Sequence, residues 1–197
     1  MIISCKTLSM KKILLCFSML ITIGAFAQDK LKPEIKQGTK LTYMVNVQGQ
    51  ELPLLISLDS IGTDYIKMGW NIEQLGSGAW IMKKNSLDKA TRAWWEEPAP
   101  GAEQEVEDEQ LVLLLSKAQW EGIAGAKKFD YDLQSFTQIT PSEQQLLKLN
   151  DKVVDALVFQ GENGSTRLWI LNDPARPMIL KIEGNTLGPD LAVSEIK

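Results

Sequence analysis

The chain reads as a mainly β, α+β protein: a strongly bent antiparallel sheet or partial barrel of about eight or nine strands with two or three short helices. Three observations predict this. Apolar and polar residues alternate along successive runs, the period of a half-buried strand. Short glycine-bearing turns separate those runs, which favours hairpins over βαβ units. Helix-start signals are few, and none opens a long periodic segment. A curled sheet limits exposed edges, and this is the physical reason to expect the bend.

The first 27 of the 197 residues have the pattern of a removable export signal. Lys11 and Lys12 supply a positive start, an apolar stretch runs from Ile13 to about Ala25, and Ala25-Phe26-Ala27 provides the small residues at a cleavage site. Met10 offers an alternative start to Met1, because Met10-Lys11-Lys12 is a typical leader opening. The apolar core, about 13 residues, is shorter than the roughly 20 needed to span a bilayer, so cleavage after Ala27 is expected rather than anchoring. Lipidation on Cys16 is disfavoured by the large Leu15 before it and by the apolar run beyond it. The expected location is periplasmic or secreted, with no stable membrane insertion after cleavage.

Cleavage removes Cys5 and Cys16, the two cysteines of a chain that has no histidine. Thiolate and imidazole ligands are then missing for zinc, iron or copper, and no metal or other cofactor is expected. Without disulfides, an exported domain of this length depends on its hydrophobic core. The whole chain has 21 basic and 25 acidic residues, and the leader takes Lys6, Lys11 and Lys12. The remainder, at about −7, is poorly matched to nucleic acid or anionic membranes.

After a polar N-terminal tail (28–37), residues 38–197 read as a single β-rich domain. Leu41, Tyr43, Val45 and Val47 share one face of a first strand; Gln48-Gly49-Gln50 turns it into a second, with Leu52, Leu54, Ile56 and Leu58 in phase. Gly62-Thr63-Asp64 leads to a third, Tyr65 to about Glu73, and Gly76-Ser77-Gly78 to a fourth, Ala79–Lys83. Asn85-Ser86 then offers an N-cap for a short helix through Trp95. Residues 96–109 are rich in Glu and Asp, with Pro98, Pro100 and Gly101 among them, and read as an acidic mobile loop.

Leu111–Leu115 is a continuous apolar run, expected as a strand buried on both faces. Ser116-Lys117-Ala118-Gln119 has capping-box spacing and predicts a helix of one or two turns. Phe129 to Ile139 reads as one strand, and Thr140-Pro141-Ser142-Glu143 as the start of a helix to about Leu149. Val153–Gln160 and Thr166–Leu171 flank an Asn163-Gly164 turn, and strands at Met178–Glu183 and Ala192–Ile196 complete the chain.

Few residue groups have the chemistry of a site. Ser86 and Lys89 match the S-x-x-K spacing of serine acyl-enzymes, but the companion motifs are absent and an N-cap role for Ser86 is the favoured reading. Paired carboxylates from the acidic segment would serve a glycosidase only on rigid elements, and a proline-bearing loop is a poor support. Asp130 and Asp132 do not complete a calcium loop. No catalytic residue is assigned.

The six tryptophans carry the remaining signal. Trp94 and Trp95 cannot both face one core from a helix, so one is expected at the surface or in a cleft, and Trp70 and Trp80 are further candidates. Most large aromatics simply fill cores, and that reading is weighed against ligand binding for each. The partners considered are an apolar small molecule, a peptide or a glycan.

The alanine end of the leader followed by Gln28, together with Ser57–Trp70 (SLDSIGTDYIKMGW), Leu111–Trp120 and Trp169–Gly184 (WILNDPARPMILKIEG), resembles uncharacterised exported proteins of the Bacteroidota. These stretches are also loosely similar to curved-sheet, lipoprotein-carrier-like periplasmic domains. The resemblance carries no catalytic residues; it implies a cell-envelope location and a binding or structural role. The expected function is therefore non-catalytic binding of an apolar or extended ligand or an envelope partner. A histidine-free hydrolase and a structural module of an envelope assembly remain the alternatives.

Overall fold

The computed structural model describes residues 29–47 and 49–197. The expected export signal, residues 1–27, and Gln48 of the Gln48-Gly49-Gln50 turn lie outside the described residues. The alternation read from the N-terminal half produces a meander of four strands: β1 (Lys40–Val47), β2 (Gln50–Ile61), β3 (Tyr65–Ile72) and β4 (Gly76–Lys83). In register, Leu41, Ile56 and Trp70 lie opposite one another, as do Tyr43, Leu54 and Ile72. Each row therefore presents apolar side chains on one face.

After β4 the chain forms helix α1 (Lys84–Lys89), β5 (Arg92–Ala93), β6 (Glu103–Glu105) and β7 (Gln110–Leu111). Helix α2 (Lys117–Ala126) follows, then β8 (Lys128–Tyr131), β9 (Gln134–Ile139), β10 (Lys148–Leu149) and β11 (Lys152–Val153). The C-terminal strands are β12 (Ala156–Gly161), β13 (Arg167–Leu171), β14 (Ile179–Glu183) and β15 (Asp190–Ile196).

Eleven strands make one sheet in the order β6-β4-β3-β2-β1-β15-β14-β13-β12-β9-β8. The last strand pairs with the first, Tyr43 opposite Val193, which joins the two meanders in mid-sheet. The protein is thus mainly β, as expected, but the sheet is larger than eight or nine strands and is not closed into a barrel. Nor is it wholly antiparallel, because β6 runs parallel to β4. Residues 84–102 form the crossover that a parallel pair requires.

The physical reason lies in the acidic segment. Backbone pairing sets Glu103 and Glu105 beside Ala79 and Ile81, where their carboxylates meet Lys67 and Lys83. Val106 then turns into the core. Charge composition suggested a loop here; neighbouring lysines and one buried valine make an edge strand.

Other local readings change for similar reasons. The expected helix through Trp95 ends at Lys89, and Trp94 and Trp95 follow on extended chain. Ser86 is inside α1 rather than its N-cap, which is Lys83. The 111–115 run is buried throughout, yet only its first residue belongs to a named strand; its backbone pairs antiparallel with the start of β14 through a Leu114–Met178 bridge and a Leu113 carbonyl that accepts from Ile179 N–H. The Ser116–Gln119 capping box does open a helix, of ten residues. The 129–139 run is a hairpin turning at Asp132-Leu133, and the helix expected from Thr140 is one 3₁₀ turn, Glu143–Gln145, followed by the β10–β11 hairpin.

Both faces of the C-terminal half are covered. On one, Phe136, Phe159, Leu168 and Ile170 are fully buried. On the other face Trp169 is buried, donates its indole N–H to Gln145 O at 2.7 Å, and carries the Lys181 ammonium 4.4 Å from its ring centroid. The tail contributes as well: Leu31 bridges to Val154, and Ile35 is buried.

Candidate functional site

The first two strands bury their Leu41–Tyr43 and Ile56–Leu58 ends, but the opposite ends stay open. Val45, Leu52, Leu54 and Ile72 are only half-buried, and Val47 is exposed. Against these open ends lie the extended Ala93–Trp95 segment and the run Leu111–Leu113. Between them is a cleft of about 170 Å³. Pro98 and, from the β14–β15 loop, Pro189 stand at its margin, with Leu191 and Tyr131 in the wall. Its lining includes one charged residue, Glu96, which is exposed.

Three of the four sequence-predicted tryptophans, Trp80, Trp94 and Trp95, line this cleft. Trp94 is buried and meets Trp80 edge-to-face with centroids 5.3 Å apart; Trp95 is half-buried. Trp70 is not in the lining. It stacks on the far side of Trp80 at 5.8 Å and lies across Gly78, where a Cβ would come within 2.9 Å of the indole. Its role is to back the wall. The indole N–H groups of Trp70 and Trp80 are buried without a partner among the described residues, a cost of about 1–3 kcal/mol each.

Trp95 is held from two sides. Its indole N–H donates to Asp132 Oδ2 at 2.6 Å, while Asp132 Oδ1 accepts Ala93 N–H at 2.8 Å and Asp132 N–H donates to Thr91 O at 3.0 Å. The other side of the ring covers Gly188, where a Cβ would fall 2.6 Å from it. One turn aspartate thereby ties the tryptophan segment to the β8–β9 hairpin. Burial pushes the Asp132 carboxyl above its usual range, opposed by the Ala93 and Trp95 hydrogen bonds and by nearby Arg92.

Backbone conformation marks the same region. Leu113 (φ 51°) in the cleft wall, and Asp132 (φ 48°) with Leu133 (φ 65°) at the turn, occupy left-handed space that non-glycine residues rarely adopt. The other non-glycine residues with positive φ have ordinary explanations: Lys127 is the C-cap of α2, and Asn150-Asp151 is a tight hairpin turn.

The remaining sequence candidates are not assembled for catalysis. Ser86 is fully buried, and its hydroxyl donates to Glu107 O at 3.3 Å; Lys89 is exposed. A hydroxyl closed off from solvent cannot meet a substrate. Glu103 and Glu105 are engaged by lysines, and among the described residues no group of three or more acidic side chains has the spacing of a metal site. Asp132, the residue that fixes the site, carried no sequence signal of its role, because its partners are about 40 residues away. Comparison of the chain with protein-family models, curated proteins and solved structures finds no match.

Proposed function

We propose that this chain is a non-catalytic, exported binding protein of the cell envelope, and that the Trp80–Trp94–Trp95 cleft receives an apolar group of its ligand. The observation carrying this reading is the cleft itself: open, lined almost wholly by apolar side chains, and walled by a tryptophan that Asp132 holds in place. Apolar cavities with few polar groups are the usual form of small-ligand sites. The strong bend expected of the sheet would wrap its apolar face around such a cleft.

Size narrows the occupant. A dry apolar cavity of about 150 Å³ accepts benzene, whereas drug-sized ligands need about 300–1,000 Å³. The cleft therefore suits one aromatic or branched aliphatic group, with the rest of the ligand outside. Toluene tests this directly. Titration of the mature protein should shift the methyl resonances of Val45, Leu52, Leu54 and Leu113, and Val45→Phe, which fills the half-buried mouth, should abolish the shifts. Unchanged methyl resonances at millimolar toluene would remove the proposal.

A further inference from the structure

The wall of the cleft that carries Trp95 is built unlike the wall it faces. There β1, β2 and β3 are bonded strands in continuous register. Residues 95–98 instead lead as a strap from the Leu111 side of the cleft toward the β3–β4 turn, and they supply Trp95, Glu96 and Pro98 to the lining. Both ends of the strap are fixed. Trp94 N–H donates to Leu111 O at 3.0 Å; past the strap, Ala99 N–H donates to Gln104 Oε1 at 2.8 Å and Gly101 N–H to Ser77 O at 2.7 Å. Between these anchors, among the described residues, no hydrogen bond reaches a backbone N–H or carbonyl of residues 95–98. Glu96 and Glu97 are exposed.

One side-chain bond keeps the strap in place. The two oxygens of Asp132 serve different partners: Oδ1 accepts Ala93 N–H on the fixed side, and Oδ2 accepts the Trp95 indole N–H. The Trp95 bond can therefore break while Asp132 stays seated on Ala93. The other side of the ring covers Gly188, which has no side chain to catch it. Segments with fixed ends and few backbone bonds are those that open locally, at a free energy well below that of global unfolding.

We infer that residues 95–98 are a gate on the apolar cleft, latched by the Trp95–Asp132 hydrogen bond, which lifts to admit the apolar group of a ligand and closes over it. What the gate admits rests on the proposed function; the movement of the strap does not. A ligand that contacts the closed strap favours closure, so occupancy and latching reinforce one another.

Hydrogen exchange of the indole N–H groups in isotope-labelled mature protein reads the latch. Trp169 is the internal control, because its buried indole N–H donates to Gln145 O at 2.7 Å. The Trp95 indole is expected to exchange at least about a hundredfold faster than that of Trp169, at a rate that low urea leaves unchanged, the mark of local opening. The Glu96 and Glu97 amides should show relaxation dispersion with the same exchange rate as the Trp95 indole. Asp132→Asn, which replaces a charged acceptor by a neutral one, should speed Trp95 exchange about three- to tenfold, and saturating toluene should slow it by at least about threefold. Trp95 exchange that follows the urea dependence of Trp169, dispersion confined to the Trp95 ring, or bound toluene that leaves Trp95 exchange unchanged overturns the gate and leaves the apolar cleft standing. Local opening in a protein that toluene does not bind overturns the apolar-cleft reading while the latched strap stands.

Discussion

Replacing Asp132 probes the clamp that shapes the site. Asp132→Ala removes two hydrogen bonds to a carboxylate, one from Ala93 N–H and one from Trp95 Nε1–H, at 2.8 and 2.6 Å. Bonds to a charged group contribute about 1.5–3 kcal/mol each, so the gross loss is about 3–6 kcal/mol. Part of this is offset, because the variant no longer desolvates a carboxylate that is 7% exposed. A net destabilisation of about 2–4 kcal/mol is expected.

Asp132→Asn keeps one acceptor oxygen and tolerates the left-handed backbone, so it should cost about 1–2 kcal/mol. Urea unfolding followed by tryptophan emission gives both values by linear extrapolation. In Asp132→Ala the native emission should shift to the red as Trp95 loses its partner. The pH dependence has a defined sign. Burial raises the native carboxyl above its unfolded value of about 3.9, so the folded state holds the proton more readily. The associated stability is fully present below about pH 4 and is lost as pH rises through the native value. The wild-type advantage over Asp132→Asn should therefore be larger near pH 4 than at pH 7. An Asp132→Ala protein within 0.5 kcal/mol of wild type, with native emission and toluene binding unaltered, would refute the clamp.

Other perturbations test separate parts of the account. Tyr43 is fully buried and donates its hydroxyl to Ile179 O at 2.8 Å, so Tyr43→Phe should cost about 1–1.5 kcal/mol in urea unfolding. Gly78→Ala would put a Cβ 2.7 Å from Ala102 O and 2.9 Å from the Trp70 ring; a loss of about 1–3 kcal/mol and a disturbed near-ultraviolet tryptophan signal are expected. Leu133 is 84% exposed at φ 65°, so Leu133→Gly should relieve strain and stabilise by about 0.5–1 kcal/mol. Ser86 is sealed in the core, so a serine-directed phosphonate probe should leave the folded protein unlabelled, and labelling lost in Ser86→Ala would revive the hydrolase.

The strands of the first meander were legible because alternation and glycine turns act locally: β1 to β4 fall where period two places them. The Asn163-Gly164 hairpin and the Ser116 capping box are legible for the same reason. Tertiary partners decided the rest. Asp132-Leu133 lacks the preferred Asn-Gly chemistry of a tight turn, so the break between β8 and β9 was hidden; it forms where Asp132 finds Ala93, Trp95 and Thr91. The Ser142–Gln145 pairing that caps the 3₁₀ turn competes with the Thr140 signal and shortens the expected helix. Strand β6 depends on lysines of β3 and β4 that composition alone does not place beside it.

The site was half legible. An unusual density of tryptophan drew attention to Trp80, Trp94 and Trp95, which do share a cleft, while Trp70 resolved into support behind Trp80. Nothing local announced Asp132, Gly188 or the open ends of β1 and β2, because their relation to Trp95 exists only in the folded chain, where segments distant in sequence meet.

Toluene titration with and without the mouth-filling Val45→Phe substitution is the most direct measurement of the central claim. Toluene should bind at a single site, shift the methyl resonances of Leu52, Leu54 and Leu113, and bind no longer once Val45→Phe fills the mouth of a protein whose fold is unchanged. Toluene binding that survives Val45→Phe, or that leaves those methyl resonances unmoved, would contradict it.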